Sequence, residues 1–348
     1  MKNRLSKISG NQAFWPMIIF LTIILFNTIL TGGEFLSISI VDGHFYGRII
    51  DIFRNGGKLM ILAAGMTMVL ATGGTDISVG SVMAISGAIA CSIINGNLLP
   101  GLGGNVAMAI LLALCAGILC GLWNGFLVSQ IKIQPIVATM ILLVAGRGIA
   151  QLITSGKIIT INSDAYYFIN GGYILGLPFP LYIVLFLVGL LLLFVHRSAF
   201  GLFLESIGCN QLASKFAGIK VNRFLLAIYT ISGAFASVAG LIESAGIKGA
   251  DCNNAGLNIE LDAILAVAIG GTNLMGGRFS ILSSVIGALI VQSITTTVLA
   301  LGVPAAYIRV LKALLIIIIC LSQSGKFKEL ASKFVAGKKH ERKEAVVL

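Results

Sequence analysis

The sequence predicts an all-α, polytopic membrane protein with about ten transmembrane helices, several of them broken. Three observations predict it. Apolar stretches follow one another from Trp15 to Gln323, and segments such as 106–128 and 173–195 contain no Asp, Glu, Lys or Arg. Each is about 23 residues long, enough at 1.5 Å per residue to cross a hydrocarbon core of about 30 Å. The composition agrees, with 57% hydrophobic and only 11% charged residues in a chain of 348. Finally, 42 glycines, several in Gly-Gly pairs, punctuate the apolar runs. The connections leave no room for a soluble domain of useful size, so function must rest on the few polar residues set among apolar ones.

Taken in order, the N-terminus places Lys2, Arg4 and Lys7 before an apolar run from Phe14 to about Leu30. That run is longer than the core of a secretory signal and no small-residue cleavage site follows, so it reads as an uncleaved first span. Candidate spans lie near 15–32, 52–72, 79–95, 105–129, 133–153, 173–195, 224–246, 260–272, 280–301 and 306–322. The second and eighth are short for a full crossing and end in Gly73–Gly74 and Gly270–Gly271. The organisation expected is a segment 1–14, a membrane domain 15–322 with an internal loop 196–223, and a basic tail 323–348.

Charge sets the orientation. Lys and Arg gather in the N-terminal segment, in the 196–223 loop (Arg197, Lys215, Lys220, Arg223) and in the tail (Lys326, Lys328, Lys333, Lys338, Lys339, Arg342, Lys343). Ten crossings place all three on one face together with Lys132 and Arg278. The opposite loops receive only Arg48, Arg54, Lys58, Lys157 and Lys248. By the positive-inside rule the richer face is cytoplasmic, with both termini on it. The net charge of +11 then reports topology and attraction to anionic lipid, not nucleic acid.

What is missing narrows the chemistry. The six cysteines show no CxxC or His-paired spacing, which argues against a metal site or a disulfide framework. The three histidines (His44, His196, His340) fall outside the spans. There is no GxxxxGK[ST] phosphate loop, no HExxH and no nucleophile elbow with plausible partners. The chain is therefore expected to be no enzyme, to bind no cofactor and to hydrolyse no ATP of its own.

Broken helices are how membrane transporters free backbone N–H and C=O groups to meet a substrate. The segment 73–80 reads GGTDISVG, where the glycines can end a helix and Asp76 or Ser78 can cap the next. Gly73, Gly74, Thr75, Asp76 and Ser78 thus either line a path or form a simple capped turn. A second segment, 270–277, reads GGTNLMGG and starts with Gly270 and Gly271; it is a repeat of the first or a chance match. Glu260 and Asp262 precede it, and acids in such a run sit at an interface, face a wet cavity or pair with a base. Asp262 joins the candidate pathway residues. Arg147 follows two turns of apolar residues and either pairs with an acid or snorkels outward. Small residues at 117, 121 and 125 and along 234–246 point to close helix packing.

The loop HRSAFGLFLESIGCNQLASKFAGIKVNR is too long for a hairpin. Glu205, Gly208, Asn210, Ala213, Ala217 and Gly218 suggest two short helices with a turn between them, a unit that suits docking to a soluble partner or serves as an inert linker.

Four ordered blocks then carry a resemblance over roughly residues 50–322. They are GMTMVLATGGTDISVGSVMAISGA, IQPIVATMILLVAGRGIAQLIT, FGLFLESIGCNQLASKFAGI and ELDAILAVAIGGTNLMGGRFS. The chain resembles the permeases of ATP-binding cassette sugar importers of the ribose/galactoside/xylose class. GIKGADCNNAGLNIELDAILAV and VATMILLVAGRGIAQLIT are most similar to the galactofuranose-importing branch. Ile77, where the family usually has Leu, and Thr272 and Asn273, where it has Gly or Ser, leave the class intact and the exact sugar open.

The resemblance implies a second permease subunit, identical or related, and a periplasmic or extracellular sugar-binding protein. It also implies two cytosolic ATPase subunits that use the ATP. Glu205, Gly208, Asn210, Ala213 and Gly218 would then belong to the coupling helix that sits on the ATPase. The rival reading is an ion-coupled secondary transporter using Asp76, Glu260 and Asp262. A membrane enzyme acting on lipid-linked sugar lacks a base, a nucleophile and a metal site.

Overall fold

The computed structural model describes residues 13–317 apart from 42, 99, 305, 306, 309, 315 and 316. The basic segment 1–12 and the tail 323–348 lie outside the described residues, as does most of the expected span 306–322. The chain divides into a large unit, Met1–Thr297, and a small one, Val298–Leu348.

The large unit is a helical bundle. Its long helices are α1 (Phe14–Leu30), α2 (Arg48–Ala71), α3 (Val79–Ile94), α4 (Val106–Phe126), α5 (Pro135–Ile153), α7 (Phe179–Arg197), α10 (Val221–Gly246) and α12 (Ile281–Ala300), whose last turn enters the small unit. Short helices fill the connections: α6 (Asp164–Gly171), α8 (Phe200–Cys209), α9 (Gln211–Phe216) and α11 (Ile259–Ile269). Five helical stretches are long and apolar enough to cross a membrane: 106–131, 135–153, 179–197, 221–246 and 281–300. Large apolar side chains stand outward on α4, α5 and α7, among them Leu119, Val144, Leu152, Phe186 and Leu193, the surface that hydrocarbon requires.

Among the described residues nine of the ten expected spans hold a helix with revised bounds, and the described part of the tenth, 307–308 and 310–314, is helical as well. The second is longer than its apolar run because Arg48, Arg54 and Lys58 lie inside the first three turns of α2, not in a loop. Arg54 is held there by the carbonyl and side-chain oxygen of Asn170 at 3.2 and 3.3 Å, and Lys58 faces Glu243 of α10 at 3.6 Å. The sixth begins at Phe179, since 173–178 forms a tight hairpin of two short strands, Tyr173–Ile174 and Leu177–Pro178. The eighth, α11, has only 11 residues; about 16 Å of helix spans half a hydrocarbon core.

Helix α10 is the spine, packed on α2, α3 and α4. Its contact with α4 is made by glycines: a Cβ on Gly121 would lie 2.8 Å from the Cα of Thr230, and one on Gly233 2.8 Å from the Cα of Gly121. Backbones approach this closely only where side chains are absent. Buried serines tie the same helices together, Ser86 donating to the carbonyl of Ser237 (3.2 Å) and Ser237 to that of Ala113 (2.8 Å). Along α3, Gly87 faces Ser244, and the would-be Cβ of Gly240 falls 2.8 Å from the Cα of Met83.

The small unit continues α12 to Ala300 and closes it at Gly302 (φ +71°), with Gly302 N donating to Leu299 O and Val303 N to Val298 O.

Candidate translocation and coupling site

The two GGT motifs end two helices in the same way. At the end of α2, Gly73 N donates to Leu70 O (2.9 Å) and Gly74 N to Val69 O (3.2 Å), with Gly73 at φ +77°. At the end of α11, Gly271 N donates to Ala268 O (3.0 Å) and Thr272 N to Val267 O (3.3 Å), with Gly271 at φ +79°. Each is a Schellman cap, whose left-handed residue is glycine because a Cβ would be strained there.

The breaks also meet. Gly277 N donates to Ala71 O at 2.9 Å, joining the segment after α11 to the last turn of α2. A Cβ on Gly276 would lie 3.0 Å from Gly73 N, and one on Gly73 3.4 Å from Met275 O. Onto this junction the end of α8 is pressed. Gly208 has no room for a Cβ, which would run into Ala71 O and Gly277 N. Gln211, opening α9, donates from Nε2 to Thr72 O at 3.4 Å. Asn210 stands between the two short helices and caps α9, its Oδ1 accepting from Ala213 N at 2.9 Å. Gly218 (φ +87°) follows α9. Ala213 and Gly218 are exposed, and Glu205 faces the neighbourhood of Arg278 and Ser280 along a groove shared with His196 and Arg197.

Beyond the first break the chain is fixed by a buried polar cluster. Asp76 is 2% exposed. Its Oδ1 accepts from Ser78 N (3.0 Å) and Ser78 Oγ (2.6 Å), and its Oδ2 from Ser232 Oγ on α10 (2.9 Å). Asn124 of α4 donates to Ser78 Oγ at 2.8 Å, and Thr139 of α5 receives the amide of Ile77 at 3.3 Å. Ser78 stands just before α3, but its hydroxyl serves Asp76, not the helix amides. The expectation of a side-chain cap is therefore corrected: Asp76 makes an Asx turn that ties α3, α4 and α10 together.

The third part of the site is the return from α10. After Gly246, the short strand Gly249–Ala250 pairs with Ile159–Thr160. Asp251 then accepts from Asn254 Nδ2 (2.8 Å), Asn254 N (3.2 Å) and Asn253 N (3.1 Å). These bonds, the Asn254 side chain first, hold its carboxyl below the usual carboxylate range. Arg147 of α5 donates to the carbonyls of Cys252 (3.0 Å) and Ala255 (2.5 Å). It is thus a clamp on backbone carbonyls. The chain descends to Gly256 (φ +63°), whose would-be Cβ lies 2.9 Å from the Cα of Gly80 in the first turn of α3. There α11 begins. Helix α3 runs beside α10 away from the α8–α9 end, while α11 runs back toward it, so the N-termini of two short helices meet at Gly80 and Gly256.

Glu260 sits at that meeting point, 9% exposed, its Oε2 3.0 Å from where a Cβ on Gly80 would be and without a hydrogen-bond partner. Asp262 is half-buried in the same first turn. Gly270 is buried, its would-be Cβ 2.7 Å from the Cα of Ser284 on α12.

The fold thus brings Gly73, Gly74, Thr75, Asp76 and Ser78 into one break, and sets the segment after Gly270 and Gly271 against it. Asp262 stays apart, near the start of α11. Sequence reasoning missed Ser232, Asn124 and Thr139. Asn124 carried a signal, the lone amide between Gly121 and Gly125 of an apolar helix; Ser232 and Thr139 were masked by many similar hydroxyls.

Two helices that stop inside the bundle, the end of one set against the segment that follows the other, mark a multi-pass transport protein. The family described as the branched-chain amino acid transport system permease component matches residues 48–320. The chain belongs to this family, as a membrane permease subunit of an ATP-binding cassette importer. It is 45% identical over 313 residues to the galactofuranose transporter permease of Escherichia coli K12, covering 90% of each chain. It is 37% identical over 337 residues to the fructose import permease of Bifidobacterium longum, covering 95% of this chain and 92% of the relative. With the ribose import permease of Bacillus subtilis it shares 36% over 276 residues, 79% of this chain and 84% of the relative. No solved structure matches.

Proposed function

We propose that the chain passes a monosaccharide, galactofuranose before fructose or ribose, across the cytoplasmic membrane. It does so without an ATPase site of its own. Its companions are two cytosolic ATPase subunits, a sugar-binding protein on the far side and a second permease, identical or related. The α8–α9 loop and both termini face the cytoplasm, as the distribution of Lys and Arg favours.

The observation that carries the mechanism is the seat of Gly208 on Ala71 and Gly277. A helix pressed on both breaks at once moves both when it moves. ATP binding in the partner displaces α8 and α9 through Glu205, Asn210, Ala213 and Gly218, and the end of α2 at Gly73 shifts as one body with the 275–277 segment that follows Gly271. The path opens along Gly73, Gly74, Thr75, Gly270, Gly271 and Asp262. Asp76 and Ser78 hold the shape of its wall, because their polar atoms are committed to each other and to Ser232. A sugar is neutral, so hydroxyl, amide and backbone groups suffice, and weak contacts let it leave.

The test is reconstitution in proteoliposomes with the ATPase subunits and the binding protein. ATP-dependent uptake of radiolabelled galactofuranose, exceeding that of fructose and ribose, is expected. Uphill uptake by the permease alone, abolished by an ionophore, would overturn the reading.

A further inference from the structure

Two acids in this bundle are buried, and they are treated differently. Asp76 has both carboxylate oxygens satisfied by three donors. Glu260 is nine-tenths buried and leaves Oε2 idle. Structural carboxylates in an interior are normally saturated, because an unpaired acceptor there costs about 1–3 kcal/mol. Arg147, whose charge is felt at Glu260, donates from Nη1 to the carbonyls of Cys252 and Ala255 and leaves Glu260 Oε2 without a hydrogen bond.

The surroundings of that oxygen are those of a seam. Gly80 and Gly256 abut backbone to backbone with no side chain between them, so nothing interlocks across the contact. The first turn of α3 carries amides that no carbonyl within the helix receives, whereas in α11 the amides of Ile259, Leu261 and Asp262 already donate to Gly256 and Asn258. Parting the seam by a few ångströms would uncover the carboxylate and the amides of α3 together. Carboxylates and amides in one place accept from and donate to the hydroxyls of a polyol.

We propose that Glu260 is a sugar-contacting residue of the pathway. Closed in this structure, the Gly80–Gly256 seam opens during transport and Glu260 Oε2 accepts a hydrogen bond from a hydroxyl of the passing sugar. Arg147 keeps the 252–255 turn in shape while this happens. The inference rests on the importer reading for the identity of the ligand, and on Glu260 alone for the site.

The first experiment uses the wild-type chain in its full assembly. A hydrophobic carbodiimide is applied with and without sugar, and adducts are located by peptide mass. Labelling of Glu260 that rises under ATP turnover and is suppressed by sugar supports the proposal. Labelling that is absent in every condition, or indifferent to sugar, overturns it. Sugar protection without ATP-driven uptake would instead sink the importer reading and leave the site standing.

The second experiment compares Glu260→Leu, which removes both acceptor oxygens, with wild type on the sugar and its series of monodeoxy analogues. The KM of the parent sugar should rise about tenfold, the lower bound for losing a hydrogen bond to a charged group. One deoxy position should then cost the wild type and cost the variant nothing further. A variant whose losses are equal for every analogue, or whose uptake stays within twofold of wild type, would overturn the proposal.

Discussion

The amide of Gly277 donates to the carbonyl of Ala71 at 2.9 Å, and this one bond joins two helix ends more than two hundred residues apart in sequence. Gly208 lies over it with no space for a side chain. Replacing Gly208 by Val must therefore push α8 off the junction or break the bond. Overpacking of this kind costs about 1–3 kcal/mol, enough to shift a conformational equilibrium tenfold or more. Sugar uptake should fall at least about tenfold while the ATPase of the assembled complex continues and membrane insertion is unchanged. Uptake and ATP hydrolysis measured on the same proteoliposomes check it, and uptake kept in step with hydrolysis would count against coupling through this contact.

The Asp76 cluster predicts a loss of stability. Asp76→Ala takes the acceptor from Ser78 N, Ser78 Oγ and Ser232 Oγ at once, each unmet donor costing about 1–3 kcal/mol. Ser232→Ala leaves only Oδ2 without a donor and should cost less; Asp76→Asn keeps an oxygen for Ser78 and offers its amide to Ser232 Oγ, and should cost least. Thermal unfolding in detergent should rank the variants in that order. The KM for sugar should stay near wild type in Asp76→Asn, because the carboxylate is spent inside the wall. A large rise in KM at unchanged melting temperature would make Asp76 a ligand-contacting group.

The distribution of apolar residues, read through a 1.5 Å rise, located helices at the expected places among the described residues, and Gly-Gly pairs marked where two of them stop. Those signals are local, which is why they were readable. The contacts that make a site are not local. Nothing in GGTDISVG says that Asp76 will meet Ser232, or in GGTNLMGG that Gly277 will meet Ala71. Arg147 shows the same limit: its cost in a membrane was legible, its solution was not. Backbone carbonyls of a distant turn carry no mark in the sequence.

That turn yields a further prediction. Arg147 supplies both donors that hold Cys252 and Ala255, and Asp251 stiffens the same stretch through Asn253 and Asn254. Arg147→Met keeps the apolar stem and removes the clamp. Amide hydrogen exchange over 251–258 should then speed up by at least tenfold, with α4 and α10 unaffected. Arg147→Lys, whose ammonium is more strongly hydrated and sits on a flexible stem, should fall between the two. Exchange unchanged in the Met variant would show that the Asp251 turn holds the segment without help.

Glycines of this chain do different jobs, and two of them predict opposite outcomes. Gly121 faces Thr230 across the α4–α10 contact, where a Cβ would fall 2.8 Å from a backbone Cα. Gly189, inside α7, has nothing within 4 Å of the same position. Gly121→Val must separate the two most intimately packed helices of the bundle and should lower stability by about 1–3 kcal/mol. Gly189→Ala meets no neighbour among the described residues and gains helix propensity, so it should raise stability by up to about 1 kcal/mol. Melting curves of the two variants in one detergent decide the matter. A destabilised Gly189→Ala would reveal that this face of α7 is covered, since only a neighbour seated on it could resent the added methyl group.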